Sequence, residues 1–196
     1  MKKVFVLFLM MVTLCATVCP ALAEVSTMSV QADVEMTYVT MTGKKGANIY
    51  AMAGDESKPV GTFGVQRTVH ARFYALDDIN KVGWVSVKID GKDGVYYMIL
   101  KDFTGDETEL GQLLFSNKTL QQGHRGDPVR YLQETLKSAK SVVTFNGAAD
   151  GIFGSATKKA VEAFQSKKSL SVDGLVGRET KAKLIPYSML EGYYSK

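Results

Sequence analysis

The chain has 196 residues, 45% of them apolar and 22% charged, with a formal net charge of +4. That length holds one or two ordinary domains, and so small a positive charge excludes the dense basic footprint of a nucleic-acid binder. Its two cysteines, Cys15 and Cys19, both fall at the N-terminal end, so disulfides, thiol nucleophiles and cysteine metal ligands are excluded from the remainder.

Lys2 and Lys3, an apolar run over 4–18 and the small-x-small sequence Ala21-Leu22-Ala23 form a secretory leader in the right order. Residues 1–23 are therefore expected to be a signal peptide. The rest is expected to be exported, to the periplasm or to the cell wall and extracellular space, with no membrane span after cleavage. Removing the leader's two lysines lowers the net charge to +2.

Residues 36–102 carry short apolar runs broken by Gly, Pro, Asp and Asn. In "GWVSVKIDGKDGVYYMIL", 83–100, Val85, Val87 and Ile89 alternate with Ser86 and Lys88. A glycine-rich turn at 90–94 and a second β-rich run then complete a hairpin signal. Runs at 47–52, 60–63 and 68–74 have strand length and β-branched or aromatic content. Several short strands in so short a stretch predict a small β-barrel. Trp84 shares a face with Ser86 and Lys88, opposite the valines. Together with Tyr50 and Tyr97 it is a candidate for stacking on sugar rings or packing a peptide, or for covering a second apolar layer.

Residues 103–117 read as a linker. Asp127 then stands as an N-cap with Pro128 at the first helical position, and Val129, Leu132 and Leu136 follow on one helical face. A second helix over 155–167 aligns Thr157, Ala160, Val161 and Phe164. A third starts near Arg178, carries Thr180 and Leu184, and ends before Pro186, leaving 187–196 as a tail.

One device occurs twice in this helical part. "DGIFGSATKKAV" from Asp150 is repeated as "DGLVGRETKAKL" from Asp173, 23 residues on, with Asp, Gly, Gly, Thr and Lys in register. Duplication of a loop-to-helix unit assigns it a structural job. Asp150 and Asp173 satisfy loop N–H groups, Gly151 and Gly174 take the left-handed turn, Gly154 and Gly177 close the loop, and Phe153 or Val176 plugs the core.

Residues 118–184, "KTLQQGHRGDPVRYLQETL" followed by "DGIFGSATKKAVEAFQSKKSLSVDGLVGRETKAKL", resemble the peptidoglycan-binding domain of bacterial cell-wall hydrolases. The earlier runs "ANIYAMAGDESKPVGTF" and "GWVSVKIDGKDGVYYMIL" resemble a bacterial SH3-type domain, although Tyr50 stands near that family's usual arginine. The resemblance implies an α+β chain in two modules: an SH3-like β-barrel over 36–102, a linker over 103–117, and a three-helix peptidoglycan-binding domain over 118–186. Arg125, Tyr131, Gln133 and Gln165 are candidates for a polar wall-binding groove. Gln165 also has an alternative as a hydrogen-bond partner of the loop backbone.

Catalytic chemistry finds little footing. The Asp-Gly loops lack the alternating acids and terminal Glu of a calcium loop and the Gly-Lys-Ser/Thr ending of a phosphate loop. A zinc site needs at least three ligands, and only His70 and His124 are present, in different modules. No paired carboxylates stand out for glycoside hydrolysis. The expectation is a non-enzymatic protein with no catalytic residue, metal or cofactor. It would bind peptidoglycan through the helical module, with the barrel as a second contact. The alternatives are an envelope adaptor whose barrel recruits a cell-wall enzyme, and a wall hydrolase whose site is not recognisable from the sequence.

Overall fold

The computed structural model describes residues 33–78 and 80–194, so the leader expected over 1–23 lies outside the described residues. Seven strands come first: β1 (Val39–Gly43), β2 (Asn48–Tyr50), β3 (Pro59–Thr62), β4 (Arg67–Asp77), β5 (Val82–Lys88), β6 (Tyr96–Ile99) and β7 (Phe103–Thr104). Four α-helices follow: α1 (Glu107–Phe115), α2 (Asp127–Ser138), α3 (Ser155–Lys167) and α4 (Arg178–Leu184). The architecture is α+β, with a strand-rich region ahead of a helical one.

The strands form one antiparallel sheet in the order β3-β2-β6-β5-β4-β1-β7, open at both ends. The closed barrel expected from the sequence is thus replaced by an open sheet. Its edges explain why: β3 starts at Pro59, which has no N–H for a ladder, and β7 is two residues long. Alternation along β4 and β5 puts Ala71, Phe73, Val85 and Val87 on an inner face packed into the main core. Trp84 lies on the opposite face in a second cluster with Tyr50, Val82 and Ile99.

The stretch expected to be a linker forms α1. Asp106 caps it, accepting from Thr108 N at 2.8 Å and Glu109 N at 3.1 Å, while the Glu109 carboxylate accepts from Asp106 N at 3.1 Å. This reciprocal capping box fixes the helix start. Leu110, Leu113, Leu114 and Phe115 are all buried, each worth about 1.5–3 kcal/mol in removed apolar surface. α1 packs on β1 and β4 on one side and on α2 and α4 on the other. One core therefore runs from Met41 and Val85 of the sheet through Leu113 to Leu132 and Phe164 of the helices.

Two other boundaries differ from expectation. Gly126, at φ 119°, is the N-cap of α2, so Asp127 is its first residue and Pro128 its second. Residues 187–194 fold back rather than trail: Leu190 is fully buried, and the Tyr193 hydroxyl donates to the Asp78 carboxylate. Among the described residues no helix is long and apolar enough to cross a membrane.

Candidate functional site

The two Asp-Gly loops, 150–154 and 173–177, are each built around a buried glutamine. Gln133 of α2 donates from Nε2 to Asp150 Oδ1 (2.9 Å), the Ile152 carbonyl (3.0 Å) and Thr157 Oγ1 (3.1 Å), and its Oε1 accepts from Gly151 N (2.8 Å). Gln165 of α3 does the same one unit later. Its Nε2 donates to Asp173 Oδ1 (2.9 Å), the Leu175 carbonyl (2.8 Å) and Thr180 Oγ1 (3.2 Å), and its Oε1 accepts from Gly174 N (2.9 Å). Each side chain is 1% exposed with its polar atoms taken up by its loop, and Gln165 also lines a cleft beside the second loop.

The aspartates close the same rings. Asp150 Oδ1 accepts from Ile152 N at 2.9 Å and Asp173 Oδ1 from Leu175 N at 2.8 Å. These backbone N–H groups, and then the glutamine amides, hold both carboxyls below the ordinary carboxylate range. Gly151 at φ +75° and Gly174 at φ +71° take the left-handed turn. Gly154 and Gly177 are N-caps in extended backbone with open space where a Cβ would stand, and nothing in the structure explains glycine there. Phe153 and Val176 are buried in the main core.

Segment 118–126 ties the loops together. Leu120 exchanges two backbone bonds with Val176, at 3.2 and 2.8 Å. Gly123, His124 and Gly126 bond the first loop at Phe153 and Gly151. The loops then differ in surroundings. The first is backed by Gly126, whose absent Cβ leaves room for the Val34 carbonyl of the strap ahead of β1. The second opens on a cleft of about 290 Å³ lined by the loop's own Gln165, Asp173 and Thr180 and, among others, by Thr119, Leu170, Ser171, Leu175, Arg178 and Glu179. Leu175 is 39% exposed and, with Leu170, sets apolar side chains among the polar groups of the groove. Such a mixture suits a ligand that carries both amide or hydroxyl groups and small apolar groups.

The other sequence candidates lie elsewhere. Arg125 pairs with Asp33 at 3.9 Å beside the first loop. Tyr131 packs edge-on against Phe73 of the sheet, 5.8 Å between centroids, under the Arg130 guanidinium. Burial raises its hydroxyl pKa, and it cements the joint between sheet and helices. Trp84 and Tyr50 are each 3% exposed and meet edge to face at 5.3 Å, so they form the second apolar layer. Tyr97 is half-buried on the outer face of the sheet. His70 pairs with Asp90 at 3.7 Å, while burial lowers the pKa of His124 beside the first loop. Of the cleft residues the sequence names Gln165 as a groove candidate and Asp173, Gly177 and Thr180 as parts of the repeat; it does not single out Leu175, although the apolar side chain shared by Ile152 and Leu175 within each repeat is a usable signal.

Residues 125–184 match the family described as "Putative peptidoglycan binding domain". The part of the helical region from α2 to α4 is thus a peptidoglycan-binding domain, and α1 lies outside the match. The spore cortex-lytic enzyme of Bacillus cereus is 42% identical over 71 residues, covering 36% of this chain and 26% of the relative. That of Bacillus subtilis is 44% identical over 72 residues, 36% of this chain and 23% of the relative. The N-acetylmuramoyl-L-alanine amidase CwlL of Bacillus licheniformis is 41% identical over 68 residues, 31% of this chain and 18% of the relative. The chain therefore spans about a quarter or less of the length of these relatives. A crystal structure of the SleB N-terminal domain is 42% identical, covering 36% of this chain and 93% of that one, with a TM-score of 0.34. A peptidoglycan-binding protein from Clostridioides difficile, solved with glutamine hydroxamate, is 20% identical over 74% of this chain, with a TM-score of 0.33.

These relatives correct one expectation. The sequence points to a non-enzymatic protein, yet the relatives that share its helical domain are named as lytic enzymes and an amidase. A binding domain carries no catalytic signature of its own, so its motifs are silent on the chemistry that accompanies it.

Proposed function

We propose that this protein works in the lysis of peptidoglycan, and that its helical domain holds the polymer in the cleft beside the second Asp-Gly loop. The observation that carries this is the unequal setting of two equal loops: the second opens on a groove that presents Leu175, Thr119, Ser171 and Arg178. N-acetyl methyl groups, amides and hydroxyls of the wall polymer match that lining. The chain is exported in this reading, its leader delivering it to the wall, and the strand-rich region, with its sequence resemblance to bacterial SH3-type domains, supplies a second contact with the wall or with a wall enzyme.

A second reading is favoured by the names of the relatives: the protein itself cleaves the wall. Incubation of the purified chain with insoluble peptidoglycan tests both. Co-sedimentation that is weakened by Leu175→Ser is expected for the cleft, and failure to co-sediment refutes it. Release of soluble muropeptides in the same tubes establishes hydrolysis.

A further inference from the structure

The sheet's outer face carries a second group of exposed side chains that the helical domain does not use. The helices pack on the inner face, through α1 and through Tyr131 against Phe73. On the outer face a register shift in β4 between Phe73 and Ala75 turns Tyr74 outward, 52% exposed. Tyr74 meets Tyr97 of β6 edge to face, with centroids 5.0 Å apart and planes at 69°. The two rings lie on strands that flank β5, where the small Ser86 pairs with both Arg72 and Tyr97. Beside them the Tyr38 ring carries two cations, the Arg72 guanidinium at 5.1 Å and the Lys88 ammonium at 4.7 Å. Neither cation forms an ion pair among the described residues.

We propose that this face, formed by Tyr38, Arg72, Tyr74, Lys88 and Tyr97, is a binding platform for the glycan strand of peptidoglycan. The proposal rests on the peptidoglycan reading above but concerns a different surface. Hexose rings present flat C–H faces that pack on tyrosines held rigid by their neighbours. Every second sugar of the strand bears a lactyl ether whose carboxylate, once its peptide is removed, is an anion. Two unpaired cations beside the aromatic pair complement that charge, and an exposed position makes their contribution salt-sensitive. The charge pattern bounds the platform. At one margin His70 faces Asp90. At the other Arg72 borders a cleft that also contains Asp33, Glu35 and Asp127, where a carboxylate would be repelled. The strand is therefore seated over Tyr74 and Tyr97 with its lactyl groups toward Arg72 and Lys88.

The chain has one tryptophan, Trp84, on the same face beneath this surface and in edge contact with Tyr50, so its emission reports on the platform and on nothing in the helical domain. The purified full chain is titrated with peptide-free glycan strands from amidase-treated peptidoglycan and, separately, with the peptides the same treatment releases. A saturable change in Trp84 emission with glycan is expected. Tyr74→Ala, and the pair Arg72→Gln with Lys88→Gln, are each expected to weaken it on the order of tenfold with unchanged thermal unfolding. High salt should weaken the wild type more than the double variant. Leu175→Ser, which alters the helical cleft, should leave the titration unchanged, so failure of the platform and failure of the cleft are separable. No saturable response to glycan, equal affinity in the variants, or a response to the peptides alone would overturn the proposal.

Discussion

The two copies of the Asp-Gly unit share the same pattern of burial from Asp150 through Thr157 and from Asp173 through Thr180, and part at the next residue. Lys158 of the first copy is half-buried, with its ammonium 3.8 Å from the Glu162 carboxylate. Lys181, its counterpart, is 1% exposed and donates to the Ser116 carbonyl at 2.6 Å and the Lys118 carbonyl at 2.5 Å. The cause lies outside the repeat. α1 crosses α4 at Gly111, where a Cβ would stand 2.8 Å from Lys181 Cβ, and so it seals that lysine in. Burial pushes the Lys181 pKa down to about 8. Local sequence fixes the loop, and tertiary neighbours fix what an identical side chain does beside it.

The largest test of the shared part is removal of its hub. Gln133→Ala leaves the Gly151 N–H, and Gln165→Ala the Asp173 and Gly174 N–H groups, without their side-chain acceptor, and each should lower unfolding free energy by about 2–3 kcal/mol in denaturant titrations. A loss confined to one copy would show that the units are not equivalent. The lysines should then separate the copies. Lys181→Ala leaves the buried Ser116 carbonyl and the partly buried Lys118 carbonyl without their donor and should cost about 2–3 kcal/mol, whereas Lys158→Ala removes a surface pair worth at most about 0.5 kcal/mol.

The glycines give a smaller and graded contrast. Gly151→Ala forces a Cβ to 3.2 Å from the Gly126 backbone carbonyl, while Gly174→Ala meets the flexible end of Lys158. Both pay for a left-handed alanine, about 1–2 kcal/mol, and the first should cost more because backbone does not yield. pH separates the copies again. A lysine whose pKa falls on folding is better tolerated neutral, so wild type should gain stability relative to Lys181→Met as pH rises from about 8 toward its ordinary value near 10.4. The aspartates act in the opposite range. Their depressed pKa values lend stability that is complete above about pH 4 and is lost as pH falls through the folded values, so both loops should loosen together in acid.

How much could be read from the sequence follows the same division. The helical region was legible because its determinants are short-range: the loop from Asp150 and its repeat from Asp173, and the spacing of Val161 and Phe164, all act within one turn or loop. The part played by Gln133 was not legible, since its partner Asp150 lies 17 residues away and a helical glutamine resembles any solvated one. α1 escaped because it is short, opens with acids and carries Gly111 at its middle, a residue explained only by the crossing with α4. In the sheet, alternation separated Trp84 from Val85 and Val87, but which face would be covered depended on Tyr50 and Ile99 arriving from other strands. Likewise Tyr38, Arg72 and Lys88 meet only through pairing of distant strands.

Paired binding isotherms on insoluble peptidoglycan test the central claim most directly, using Ile152→Ser and Leu175→Ser, which alter the same exposed position of the two loops, each 39% exposed in the wild type. With the cleft beside the second loop as the binding site, Leu175→Ser weakens binding by about fivefold or more and Ile152→Ser leaves it unchanged. Equal affinities for the two variants, or a loss confined to Ile152→Ser, would contradict it.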